Sequence, residues 1–246
     1  MDFYAFYTGQ EFEAYKYLGA HLEGDKCVFR TFAPQAAGIE LILQDRAIPM
    51  NRIFDGNFYE VTAEAHEGDT YEYRIYGKDG SVRSHMDPYG YGVELRPNHK
   101  SIVVDTNKKM FSDQKWMKNR TNRKNEALNI YEIHAGSWKK KSQEQEGWYN
   151  YKELAELLIP YLEENHYNYV EFMPLCEYPS DESWGYQNTG YFAPTTRYGS
   201  AVDLKTAVDL FHQHKIGVLL DFVPVHFAMD DYSLRKYDST YLYCKI

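Results

Sequence analysis

Asp221 and His226 stand five residues apart, where the apolar run 216–223 gives out. A carboxylate at the end of a buried strand is costly to desolvate unless it has partners. As a working group, Asp221 would accept hydrogen bonds from substrate hydroxyls or balance the charge of an oxocarbenium-like transition state. As a structural group, it would cap the backbone turn that follows. A second cluster lies upstream in Trp184-Gly185-Tyr186-Gln187-Asn188-Thr189-Gly190-Tyr191-Phe192. Its rings offer flat faces to a sugar, and the Gln187 and Asn188 amides offer donors and acceptors. The alternative is that the rings only tie down the loop 174–199. A loop of that length is functional or disordered in most compact domains.

Other constellations carry less. His212 and His214 are two apart on a helical stretch, so they point in different directions and cannot jointly grip a metal. Glu132 and His134 share a strand face, but no third ligand accompanies them. No CxxC, P-loop, GxGxxG or GxSxG occurs, which removes support for zinc, nucleotide and serine-hydrolase chemistry.

The elements that position these residues fall into two halves. Residues 1–105 contain short runs rich in β-branched and aromatic residues (27–32, 38–43, 58–62, 70–76), separated by turn signals such as Asp55-Gly56-Asn57 and Lys78-Asp79-Gly80. The alternation in Tyr71-Glu72-Tyr73-Arg74-Ile75 puts one face in a core and one in water. This pattern predicts a β-sandwich. Residues 106–128 are polar and basic, with Lys108, Lys109, Lys115, Lys118, Arg120, Arg123 and Lys124, and read as a linker with a short helix near Trp116. From residue 128 strands (128–134, 167–173, 216–223) alternate with amphipathic helices (151–164, 202–214), the signature of βαβ units around a parallel sheet. Ligands of such sheets bind at the carboxyl ends of the strands, where Asp221 and the long loop lie.

The 246 residues carry 27 Lys plus Arg against 36 Asp plus Glu, a net charge of −9. Nucleic acid and anionic membranes need a basic footprint, so both are disfavoured as partners. Three well-separated cysteines, Cys27, Cys176 and Cys244, argue against a disulfide framework and for reduced cytoplasmic thiols. No basic-then-apolar leader opens the sequence, and the Asn119-Arg120-Thr121 sequon is read as chance.

Three stretches, IYEIHAGSW (130–138), FMPLCEYPSDESWGYQNTGYFAPTTRYGS (172–200) and LLDFVPVHFAMDD (219–231), closely resemble bacterial 1,4-α-glucan (glycogen) branching enzymes of glycoside hydrolase family 13, the α-amylase family. The first half resembles the family 48 carbohydrate-binding module, through Leu18-Gly19-Ala20-His21, Phe29-Arg30-Thr31-Phe32-Ala33-Pro34, Gly56-Asn57-Phe58 and Asp87-Pro88-Tyr89. The resemblance implies an immunoglobulin-like β-sandwich (1–105), a linker (106–128) and an incomplete (β/α)8 TIM barrel of about three βα units (129–246). It implies that Asp221 is a substrate-contacting and structural aspartate. It further implies that His226 hydrogen-bonds the glucose at the cleavage subsite and that Tyr186 stacks beneath that ring, with Trp184 and Gln187 flanking it. The reaction implied is retaining cleavage of an α-1,4-glucan (glycogen or amylose-like) and transfer to a 6-hydroxyl, in the cytoplasm, with no metal or organic cofactor.

In the resembled family the nucleophile and acid/base follow later strands. The chain is therefore expected to lack both, to be truncated by a frameshift or split gene, and to be inactive alone. The alternatives are a non-catalytic glucan-binding module, or one piece of a two-chain enzyme whose second polypeptide supplies the missing strands. Three parallel strands of an unclosed barrel leave an open edge. Residues 129–246 are thus expected to be marginal by themselves, with 1–105 folding independently and 241–246 running off course.

Overall fold

The computed structural model describes residues 1–120, 125–144 and 146–243. Thr121 of the sequon, Arg123, Lys124 and Cys244 lie outside the described residues. The sheets are mostly antiparallel, and the chain divides into two compact units.

The first unit, which opens on the short α1 helix (Phe3–Tyr7), comprises Met1–Asp105 and residues 188–193 and 227–243. One antiparallel sheet has the order β1 (Gly19–Glu23), β2 (Lys26–Phe32), β6 (Phe58–Glu64), β5 (Asn51–Ile53). The other runs β4 (Arg46–Pro49), β3 (Ala36–Leu43), β7 (Thr70–Gly77), β8 (Val82–His85), with the short β9 (Ser101–Ile102) also paired to β7. The alternation read in the sequence is realised in β7, where Tyr71, Tyr73 and Ile75 are buried and their neighbours are not. They share a core with Ile39, Leu41 and Leu43 of β3 and with Phe29, Tyr59 and Val61 of the first sheet.

That core contains a carboxylate. Asp87 is buried and accepts hydrogen bonds from the Tyr71 hydroxyl at 2.8 Å, the Tyr73 hydroxyl at 3.1 Å and the Tyr89 amide at 2.9 Å. Burial pushes its carboxyl up to about 6, against the pull of these donors.

The core also contains part of the tail, which differs from the expectation that everything after 129 serves a barrel. Tyr237 is fully buried in this core, its hydroxyl 2.7 Å from the Thr31 hydroxyl. The Asp238 carboxylate accepts from the Gln35 amide, the Met86 amide donates to the Tyr232 carbonyl, and His85 Nδ1 meets the Ser233 carbonyl at 2.7 Å. Leu242 and Tyr243 pack against the same core. Side chains of 232–243 therefore complete the burial that residues 1–105 begin.

The second unit comprises Thr106–Gln187 and Pro194–His226. Its sheet is parallel, in the order β10 (Ile130–Ile133), β11 (Tyr169–Phe172), β12 (Gly217–Leu220). The α3 helix (Tyr151–Glu164) and the α4 helix (Ala201–Gln213) each open on a capping box, Asn150 with Glu153 and Ser200 with Asp203. Reciprocal bonds between these side chains and the first-turn amides satisfy donors that the helix itself cannot. α3 runs on past Pro160, which lacks an N–H; Leu158, Ile159 and Leu162 are buried on either side and hold that turn in place. The core is formed by these residues with Val170, Phe172, Ala207, Phe211 and Ile216.

The connecting segment is exposed over most of its described residues but is tied to α4 at several points. The buried Asp209 of α4 takes an ion pair from Lys109 and hydrogen bonds from the Ser112 amide and hydroxyl. Burial alone would raise the Asp209 carboxyl, but these partners outweigh it and hold the carboxyl below the usual range. The short α2 helix (Gln114–Asn119) follows, with Trp116 as expected at its centre. His212 pairs with Asp113 at 2.7 Å and His214 with Glu163 at 2.8 Å, in the divergent directions their spacing demands. Neither Cys27 nor Cys176 forms a disulfide with another described residue. Among the described residues, no helix is long and apolar enough to cross a membrane.

Candidate functional site

The parallel register aligns Ile133, Phe172 and Leu220, so the three strands end together. The ladder continues one step beyond them: the Met173 amide donates to the Ile133 carbonyl and the Asp221 amide to the Phe172 carbonyl. His134, Met173 and Asp221 thus emerge side by side at the carboxyl edge. One step inside it, Glu132 and Glu171 are register neighbours.

The loop after β11 returns to this edge. The Tyr186 hydroxyl donates to Asp221 Oδ2 at 2.6 Å. That bond, then desolvation and the charges of Asp221, Glu132 and Glu171, push the phenol up to about 12. Tyr186 therefore keeps its proton at neutral pH and holds Asp221 as an acceptor with its other oxygen available.

Backbone geometry accounts for the loop's path. A 3-10 turn (Asp181–Ser183) ends at Trp184 with φ 55°, and Gly185 follows with φ 90°. A Cβ on Gly185 would sit 2.5 Å from the Pro174 carbonyl oxygen, so only glycine lets the loop cross its own base this closely. A bulky residue in the left-handed region is strained. Here that strain displays the Trp184 side chain, which is 56% exposed, with its ring 6.2 Å from that of His134.

A buried ion network holds the loop's ends. The Arg197 guanidinium donates to Glu177 Oε1 at 2.6 Å, to Asp181 Oδ1 at 2.8 Å and to the Tyr178 carbonyl at 2.8 Å, and lies over the Tyr178 ring at 3.8 Å. Burial pushes the Glu177 carboxyl up, while the Thr196 amide and Arg197 pull against it. The loop's ends are therefore held by charge as well as by aromatic contacts such as the Tyr178 ring. Arg197, Glu177 and Asp181 were not among the residues singled out in the sequence. Nor was His134 as a site residue: burial and the Arg197 charge lower its imidazole, Nδ1 meets the Ser137 hydroxyl at 3.0 Å, and Nε2 is buried without a partner.

Of the five residues singled out, the structure joins Tyr186 to Asp221 and sets Trp184 beside His134. Gln187 is exposed and makes no hydrogen bond to another of the described residues, and the same holds for His226. Asn188 is buried within the first unit, where its carbonyl accepts from the Ala228 amide. No group of three acidic, histidine or cysteine side chains among the described residues is placed to hold a metal ion. The arrangement offers an exposed indole face, a phenol and a carboxylate acceptor, groups that suit a sugar ring and its hydroxyls.

Residues 2–89 match the family described as alpha-1,4-glucan branching enzyme GlgB, N-terminal domain. The 1,4-alpha-glucan branching enzyme GlgB of Fusobacterium nucleatum subsp. nucleatum is 40% identical over 250 residues, covering 99% of this chain and 41% of that protein. GlgB of Dechloromonas aromatica is 40% identical over 249 residues, covering 98% of this chain and 40% of its own length. The chain matches the N-terminal portion of GlgB-type branching enzymes. It spans about two fifths of the length of these GlgB relatives. The crystal structure of a pullulanase from Anoxybacillus sp. LM18-11, complexed with maltotetraose, superposes with a TM-score of 0.69 at 23% identity, over 88% of this chain and 36% of that one. That likeness shows the fold alone.

Proposed function

We propose that this chain supplies the N-terminal module and the first strand ends of a GlgB-type α-glucan branching enzyme acting in the cytoplasm without metal or organic cofactor. The observation that carries the reading is the 40% identity over 99% of the chain to a GlgB branching enzyme. On this reading, 1–105 is an immunoglobulin-like β-sandwich of the carbohydrate-binding type, 106–128 a connector and 129–246 the opening βα units of a (β/α)8 barrel. That division follows the order of the chain, whereas the compact units follow packing.

Within the site, Asp221 accepts hydrogen bonds from glucose hydroxyls, and Tyr186 holds Asp221 and offers its ring to the sugar. Trp184 adds a second aromatic face, and Gln187 and His226 supply further polar contacts. Retaining glycoside chemistry needs two carboxyl groups only about 5–5.5 Å apart, one of them nucleophilic. Asp221, engaged by a phenol, is suited to binding and orientation instead. We assign cleavage and transfer to the remainder of a GlgB-length protein, whether continuous with this chain or on a second polypeptide.

The test is paired. Affinity electrophoresis in amylose should retard the chain, and Tyr186→Ala or Asp221→Ala should reduce that retardation severalfold. An unchanged mobility in both variants would remove the assigned roles. Purified chain should leave the iodine stain of amylose unaltered; branching by the chain alone would overturn the assignment of chemistry elsewhere.

A further inference from the structure

The basic connector has a use that glucan binding does not absorb. Within the second unit, a cavity of about 460 Å³ opens between α2 and the C-terminal turn of α4, a size typical of small-molecule sites. Lys115, Arg120 and Lys215 line it, and none of the three forms an ion pair with another of the described residues. The acidic groups nearby are already engaged: Asp113 is bound to His212, and Asp209 is satisfied by Lys109 and Ser112. In a chain with a net charge of −9, the hollow is therefore a local excess of positive charge.

Its wall is flat and fixed. Trp116 stacks on His212 with ring centroids 4.8 Å apart and planes 17° from parallel, and the Asp113 bond sets the orientation of that imidazole. The Asn119 and Gln213 amides complete the lining. Three cations lining one cavity suit a group carrying about −1.5 to −2 charge with several acceptor oxygens. The aromatic wall and the two amides suit a ring with hydroxyls or ring nitrogens attached to it.

From this juxtaposition we infer that the cavity between α2 and α4 binds a phosphomonoester carried on a ring-bearing body, distinct from the strand-end site. The body is a sugar or a nucleoside, and the two share the chemistry that this lining recognises.

Isothermal titration of the full chain tests it, with glucose 6-phosphate, AMP, inorganic phosphate and maltotriose as probes. Glucose 6-phosphate or AMP should bind at least about fivefold more tightly than inorganic phosphate, and the tighter of the two names the source. Affinity should fall severalfold with added salt, as expected for exposed charges. Lys115→Gln and Lys215→Gln should each weaken binding by about 5–10-fold, the scale of one lost charge-assisted bond. Both lysines are exposed, so both variants should fold, and Lys215→Arg should bind within about twofold of the parent. Binding of maltotriose as tight as that of the phosphorylated probes would overturn the inference. So would equal affinity for inorganic phosphate, no binding of either phosphomonoester at about 10 mM, or indifference to both lysine substitutions.

Discussion

Asp87 in the first unit and Asp209 in the second are both buried carboxylates, yet their partners differ in kind. Asp87 is met by two phenols and an amide, all neutral, and its proton affinity rises until it titrates at about 6. Asp209 is met by the Lys109 ammonium and Ser112, and its proton affinity falls. Arg197 adds a second charged centre to the second unit, where the buried guanidinium bridges Glu177 and Asp181. Neutral donors satisfy a carboxylate's geometry without cancelling its charge, so burial still raises the Asp87 carboxyl. Ion pairs cancel charge but lose everything when one member goes, so the second unit has single points of failure. It places them where a long loop and a connector must be held.

The comparison breaks most sharply at Arg197. Arg197→Met leaves Glu177 buried and unpaired, and should cost about 3–5 kcal/mol in urea unfolding of the second unit. Adding Glu177→Leu should recover much of that loss, because an apolar pair carries no stranded charge. If the double variant is no more stable than the single one, the charges are not the reason. Tyr237→Ala should cost the first unit about 3–5 kcal/mol, through the cavity it opens and the Thr31 hydroxyl it strands. A variant whose first unit keeps its unfolding midpoint would show the tail to be dispensable.

Asp87 sharpens the contrast with a pH dependence. Its carboxyl titrates higher in the fold, at about 6, than the ordinary 3.8, so the folded state binds the proton more tightly. The stability it contributes is fully present below 3.8 and is lost as pH rises through about 6, a change of about 3 kcal/mol. Asp87→Asn should lack that slope, so the slope should appear in the difference between parent and variant unfolding curves. His85 works the other way: its pKa is pushed down by burial, so its contribution is present above 6.5 and is lost as pH falls. Only the parent-minus-variant difference isolates Asp87. The smallest effect belongs at the edge strand β12 and the residues just past it, where Leu220 and Phe222 are 56% and 60% exposed. Phe222→Lys should change folding stability by less than about 0.5 kcal/mol, yet lower aggregation measured by light scattering.

Local pattern and long-range pairing explain what the sequence disclosed. The helix expected over 151–164 coincides with α3 because its spacing, cap and capping partner all lie within one segment. The alternation of β7 was equally plain. Short strands such as β4, β5 and β9 were not, having too few residues for a period to register. In the site, Asp221 and Tyr186 were both legible as types, but their bond joins residues 35 apart. Arg197 looked like any loop arginine because its carboxylate partners lie 16 and 20 residues back. His226 was legible as a motif member, yet it stands exposed without a hydrogen bond, since no side chain near it in the described residues supplies one.

The bond between Thr31 and Tyr237 spans 206 positions of the chain. A ribosome delivers residues in order, at about 5–20 per second. The sheets that emerge first must therefore wait, with a gap in their interior, until the tail arrives some ten seconds or more later. A protease that nicks the intervening stretch before that moment would leave an unfinished module. After it, both fragments would remain gripped by the same interior. The part of the molecule that is begun first is thus the last to close.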